Sequence, residues 1–246
     1  MPDACPSHHF ATPKTGKVVK LGPAGNSSIE TYIAAPSGKP TAAVIIFPDV
    51  YGWQWNNTRL WADRLAKAGF LAVLPDWFRG DVLGSDVMAF IGRQKKDRVI
   101  ADFNTVVAAI KKAYPSVKKI GQEGFCWGGL YTALLSTPQA PKVDAAVAFH
   151  ASLLTPKLID AITGPVSLQQ ADPLLDTQIN STFYKYIEGA FKAKQAKGGQ
   201  QVITYYKGMP HGFSVRGNFS IPAFAKASNT AFDEGVKFLK QHLLSR

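Results

Sequence analysis

The sequence predicts an α/β fold in a single domain, with a mostly parallel, doubly wound sheet and helices on both faces. Three observations carry this. Short apolar runs rich in β-branched residues, Ala42–Phe47 above all, read as strands buried on both faces, as in a parallel sheet. Longer segments of helical period alternate with them. No Pro/Gly/Ser-rich linker divides the chain, and 246 residues fit one large α/β unit. The expected organisation is a polar, Pro-containing tail over 1–16 and one α/β domain over 17–246.

The elements follow in order. Val18–Leu21 and Ile29–Ala34 read as strands separated by the turn-rich Gly22-Pro23-Ala24-Gly25-Asn26. Ala42–Phe47 is the first fully apolar strand. A helical pattern runs from about Thr58 to Ala68 and is closed by Gly69. Leu71–Pro75 is a short buried strand. Val99–Ala113 is helical because Val99, Phe103, Val106, Val107 and Ile110 fall on one stripe. Ile120–Phe125 is a strand, more polar than its neighbours through Gln122 and Glu123. A helical run to about Ser136 follows Cys126-Trp127-Gly128-Gly129. Ala145–Phe149 and Val166–Gln170 are further strands, Ile179–Ala196 a helix, Val202–Tyr206 a strand and Pro222–Leu244 a long closing helix. Such alternation calls for right-handed crossovers, which put helices on both faces.

Composition narrows the function classes. Hydrophobic residues make up 46%, enough for a substantial core. No apolar run reaches the roughly 18 residues of a membrane span, and 1–20 contain no signal-like apolar stretch. A soluble, cytoplasmic protein is expected. Two cysteines, Cys5 and Cys126, are too few for a secreted disulfide framework. The net charge of +11 comes as scattered pairs such as Lys95-Lys96 and Lys111-Lys112, without a basic stripe interleaved with aromatics. Solvated lysines on helix faces explain it; a field favourable to small anions is the second reading. Neither a nucleic-acid nor a membrane partner is expected. Cys5, His8 and His9 cluster in the tail but fall short of a four-ligand zinc site, so no metal is expected.

The chemistry centres on Gly124-Phe125-Cys126-Trp127-Gly128-Gly129, at a strand-to-helix junction. A sharp turn there lifts its apex residue above the sheet edge, and small glycines let neighbouring backbone pass. This is the nucleophile-elbow pattern with Cys in place of Ser. Thiolate is the reactive form of cysteine, and the free N–H groups of a helix start favour it. The plain alternative is a structural cysteine beside a glycine turn. Asp172 follows one predicted strand and His211 another, which places both on the edge that carries Cys126 and in the order nucleophile, acid, histidine. Taken singly, Asp172 reads equally as a turn former before Pro173, and His211 as a loop histidine. The amides of Trp127, just after the nucleophile, and Val50, in the loop after Phe47, are candidate oxyanion donors.

On these residues the chain resembles the dienelactone hydrolase family, within the α/β-hydrolase superfamily, from about Val18 to Leu244. The matching pieces are Ile45–Gly52, Leu74-Pro75-Asp76-Trp77-Phe78, the Cys126 elbow, Asp172 and His211-Gly212-Phe213. The resemblance implies hydrolysis of esters or lactones, often carboxylate-bearing, by a Cys–His–Asp triad, without metal or organic cofactor. Cys126 would attack, His211 would carry protons, and Asp172 would orient His211. Well-known members hold the resting thiol with a Glu in the early loop, where this chain has Asp49. They also carry an arginine shortly after the histidine; the nearest here is Arg216, one residue further along. Arg79 and Arg216 are therefore candidates for binding a substrate carboxylate, with ordinary surface arginine as the alternative. Tyr51, Trp77, Phe78, Phe213 and His150 are candidate pocket residues, although a satisfied structural histidine is the plainer reading of His150. Rival functions are a thioesterase or broad carboxylesterase with the same triad and, from another class, a binding protein without turnover. A monomer or homodimer is expected.

Overall fold

The computed structural model describes residues 15–23 and 28–244. The tail over 1–14, with Cys5, His8 and His9, and part of the expected turn over 22–26 lie outside the described residues. Among the described residues, eight strands form one sheet: β1 (Lys17–Leu21), β2 (Ile29–Ala34), β3 (Ala42–Phe47), β4 (Leu71–Pro75), β5 (Lys119–Phe125), β6 (Ala145–Phe149), β7 (Val166–Gln170) and β8 (Gln201–Tyr205). The helices are α1 (Asn56–Lys67), α2 (Val87–Arg93), α3 (Lys96–Ala113), α4 (Trp127–Leu135), α5 (Pro156–Ala161), α6 (Ser181–Gln195), α7 (Phe213–Arg216) and α8 (Pro222–Leu243). Strand order is β1-β2-β4-β3-β5-β6-β7-β8. Only the pairs β1–β2 and β2–β4 are antiparallel; from β4 onward every pair is parallel.

The parallel strands are apolar because both their faces are covered. Every residue of β3, β4, β6 and β7 is buried. On one face the core gathers Phe103 and Ile110 of α3, Tyr131 of α4 and Phe191 of α6. On the other it gathers Trp61 and Leu65 of α1 with Phe232 and Leu239 of α8. Trp61 meets Phe125, Phe149 and Phe232 edge-on, tying both helices to β5 and β6. The sequence overlooks α2, α5 and α7. They have seven, six and four residues, too short to show an apolar period.

The parallel strands all end at one edge. Loops after β3, β5, β6, β7 and β8 therefore converge there and bring Asp49, Cys126, Ser152, Asp176 and His211 into one region. Among the described residues no helix is long and apolar enough to cross a membrane.

Candidate active site

Cys126 stands between β5 and α4 at φ 51°, ψ −111°, a backbone conformation an L-residue adopts only when its surroundings impose it. The surroundings are close backbone contacts. A Cβ on Gly128 would lie 2.3 Å from the carbonyl oxygen of Phe47, and one on Gly124 would lie 2.3 Å from that of Gly128. Glycine at these two positions lets α4 start hard against β3 and β5. The elbow is then pinned by its own backbone: Cys126 N–H donates to the Phe149 carbonyl (3.2 Å), and the Cys126 carbonyl accepts from Gly129 and Ser152 (both 2.9 Å).

The His211 imidazole lies above this elbow. Its Nδ1 is 2.9 Å from Oδ2 of Asp176, whose side chain is 2% exposed. Its Nε2 is 3.4 Å from Oγ of Ser152, which is in turn 3.4 Å from the Cys126 sulfur. Burial works against a charged imidazolium here. The Asp176 carboxylate and the Cys126 sulfur outweigh it, and the His211 pKa is pushed up to about 10.

The acid facing His211 is thus Asp176, not the expected Asp172. The Asp172 carboxylate is consumed by backbone: Oδ2 accepts from Gly208 (2.7 Å) and Oδ1 from Leu174 (3.0 Å). These contacts, that to Gly208 first, hold its pKa below the usual carboxylate range. Its own carbonyl accepts from the amides of Leu175 and Asp176, both at 2.8 Å. Asp172 therefore builds the turn that presents Asp176 and ties it to the loop leading to His211. Sequence order alone does not separate two aspartates four residues apart. The signal available was the Asp172-Pro173 start itself, which favours a carboxylate that caps a turn.

Asp49 is likewise committed elsewhere. Arg216 grips both its oxygens, Nε to Oδ2 at 2.6 Å and Nη2 to Oδ1 at 2.8 Å, and Oδ1 also accepts the Tyr51 amide. The Arg216 guanidinium also lies 5.0 Å from the ring centres of both Tyr51 and Trp55, which are 43% and 46% exposed. Expected as a thiol partner, Asp49 instead neutralises Arg216, and the hydroxyl beside Cys126 is Ser152. Arg79 is no free anion binder. It makes a two-pronged bond to Asp102 (2.6 and 3.1 Å) and donates to the Ser28 carbonyl. Asp102 also takes Arg98, so Arg79 braces the Trp77–Gly80 loop against α3.

Of the candidate pocket residues, Trp77 and Phe213 are wholly buried. Trp77 stacks on Phe47 at 4.1 Å and donates to the Ile46 carbonyl; Phe213 packs on Tyr206 and His150. Both are core: Trp77, after β4, folds inward onto Phe47, and Phe213, at the start of α7, packs inward on Tyr206 and His150. Phe78 packs on Trp127 at 4.8 Å and Tyr51 lies at the surface. His150 is fully buried. Its Nδ1 meets the Ser214 hydroxyl (3.2 Å), its Nε2 has no partner, and its ring is 5.1 Å from that of His211. Burial, then the positive charges of His211 and Arg216, hold it neutral, well below the ordinary histidine range. No acceptor among the described residues takes up the amides of Val50 and Trp127.

Sequence reasoning missed Ser152 and Asp176. Ser152 follows β6 by three residues, at the same strand edge as Cys126, and that placement was the available signal.

Comparisons with known proteins bear on the family and the fold. The family model described as the dienelactone hydrolase family matches residues 29–243. A carboxymethylenebutenolidase homologue of Xenopus tropicalis is 34% identical over 128 residues, half of this chain and 51% of that one, so the chain spans about half the length of that curated relative. The hydrolase tropI of Talaromyces stipitatus is 26% identical over 231 residues, 87% of each chain. A crystal structure described as a putative dienelactone hydrolase from Klebsiella pneumoniae superposes with a TM-score of 0.76 at 19% identity, covering 93% of this chain and 100% of that one; at that identity it speaks for the fold alone.

Proposed function

Since the chain belongs to the dienelactone hydrolase family, we propose that it hydrolyses ester or lactone bonds of small molecules with Cys126 as nucleophile, His211 as proton carrier and Asp176 as the group that orients His211. The observation that carries this is the continuous contact chain Cys126–Ser152–His211–Asp176 at a strained strand-to-helix elbow.

Each part has a task. The Cys126 thiolate attacks the carbonyl carbon and forms the C–S bond. The Val50 and Trp127 amides receive the oxygen that becomes negative. His211, held as a cation by Asp176, gives its proton to the departing alkoxide. The neutral imidazole then takes a proton from water, which attacks the thioester, and the acid leaves as the C–S bond breaks. Sulfur leaves a tetrahedral adduct more readily than an amide nitrogen does. Simple amides should therefore revert to starting material while esters, lactones and thioesters turn over.

Charge recognition is the second feature. Arg216 is already neutralised by Asp49, and Arg79 by Asp102. We read the preferred substrate as one that needs no carboxylate of its own.

The test is a panel of aryl esters, lactones and acyl thioesters assayed with wild type beside Cys126→Ala. The variant should lose at least about 10³-fold in kcat. Near-normal turnover by it contradicts the cysteine mechanism, and ligand binding without any product would make the chain a binding protein.

A further inference from the structure

The loop after β6 is built with unusual backbone. His150 has φ 39° and Leu153 φ 63°, so two non-glycine residues in the left-handed region bracket Ser152. Ala151 lies so near α4 that a Cβ on Gly129 would come within 2.3 Å of the Ala151 Cβ. The Ser152 amide donates to the Cys126 carbonyl at 2.9 Å, which fixes the serine to the elbow itself. Ser152 is 5% exposed. Strain of this sort persists where the surrounding structure over-determines a residue's position. Here the position it sets is that of one hydroxyl, 3.4 Å from the Cys126 sulfur and 3.4 Å from Nε2 of His211.

We propose that Ser152 hydrogen-bonds the Cys126 sulfur and passes the proton between it and His211. The inference rests on the cysteine reading above and deepens it. In the thiol form of the pair His211 is neutral, with its Nδ1–H given to Asp176 and its Nε2 lone pair free. Ser152 O–H then donates to Nε2 while Ser152 Oγ accepts the thiol S–H. Transfer moves the thiol proton onto Oγ as the serine proton passes to Nε2. The S–H bond and one O–H bond break, a new O–H and an N–H bond form, and the serine is left neutral between a thiolate and an imidazolium. In that state the hydroxyl donates to the sulfur and accepts from Nε2, so one residue serves both protonation states. Arg216 occupies Asp49, so the hydroxyl at the sulfur is Ser152, and it stands there beside the His211 imidazole, which also interacts with the sulfur.

The test is Ser152→Ala and Ser152→Thr, each measured for ester kcat/KM and for the rate of Cys126 alkylation by iodoacetamide across pH, with Cys126→Ala alongside. Ser152→Ala should lower kcat/KM about 10- to 100-fold and move the alkylation profile to higher pH, since it removes a donor to the thiolate. Ser152→Thr, which keeps a hydroxyl, should restore most of both. Wild-type rates in Ser152→Ala overturn the inference. So does a loss of rate with an unshifted pH profile, which would mark the serine as merely structural. Turnover by Cys126→Ala overturns the cysteine reading and this inference with it, whereas an inactive Cys126→Ala beside an unaffected Ser152→Ala overturns this inference alone.

Discussion

Asp176→Asn is the change that separates the two aspartates near His211. The wild-type contact is 2.9 Å long, and the Asp176 side chain is 2% exposed. Losing the charge from such a hydrogen bond costs about 1.5–3 kcal/mol, or roughly 10- to 100-fold in kcat/KM. The same energy lowers the His211 pKa by about one to two units from its value of about 10. The loss can be larger for a geometric reason. Asp176 Oδ1 accepts the Gln178 amide at 2.8 Å, so an asparagine that keeps this bond turns its NH2 toward His211 Nδ1. The imidazole then carries its hydrogen on Nε2 and cannot take a proton there; tautomer inversion of this kind costs up to about 10⁴-fold in serine triads. Asp172→Asn should behave differently. It removes one acceptor from the Gly208 and Leu174 amides, lowering stability by about 1–3 kcal/mol while activity well below the melting point stays within a few-fold of wild type. Aryl-ester hydrolysis gives the rates, proton NMR titration of the imidazole ring gives the pKa, and thermal unfolding gives stability. An active Asp176→Asn beside an inactive Asp172→Asn would refute this assignment.

Other expectations follow from particular contacts. Burial pushes the Glu123 pKa up to about 8, against the opposing Trp61 hydrogen bond and Arg64 charge. The folded chain therefore holds that proton over a range, from roughly pH 4.3 to 8, in which the unfolded chain has released it. Stability should fall across this window by up to about 1.4 kcal/mol per pH unit, and Glu123→Gln should flatten the slope in melting curves; identical slopes would contradict the assignment. Gly128→Ala forces a Cβ against the Phe47 carbonyl and should cost at least about 1–3 kcal/mol together with most of the activity, read by melting and ester assay. Arg79→Ala should destabilise by about 1–2 kcal/mol, since Arg98 remains on Asp102, and should leave the rates on an acid substrate and its methyl ester in their wild-type ratio. Arg216→Ala should likewise show no selective loss on the acid, because Asp49 already occupies the arginine; a selective loss would show that substrate displaces Asp49.

What the sequence made legible follows physical signals of differing strength. Ala42–Phe47, Leu71–Pro75, Ala145–Phe149 and Val166–Gln170 are read to the residue, because strands buried on both faces are continuous apolar runs. The start of α3 is read three residues late, at Val99 rather than Lys96, because its first turn is polar and exposed. The elbow is legible because Gly124 and Gly128 mark where backbones touch. Side-chain partners are not. Asp49 and Arg216 are 167 positions apart and meet only through the fold. Asp172 and Asp176 are four positions apart, and which of them faces His211 is decided by the turn Asp172 itself caps. Trp77 and Phe213 resemble pocket residues in sequence because burial in a core and exposure in a pocket both select aromatics.

The central claim is that Cys126 becomes acylated, and mass spectrometry of the acid-quenched enzyme during turnover of an activated aryl ester tests it most directly. Ser152 is the informative comparison, since its hydroxyl is also 3.4 Å from His211. The account predicts an acyl group on the peptide containing Cys126, formed in a burst and removed by neutral hydroxylamine as a thioester is. An acyl group found on Ser152, or a full burst of product from Cys126→Ala, would contradict it.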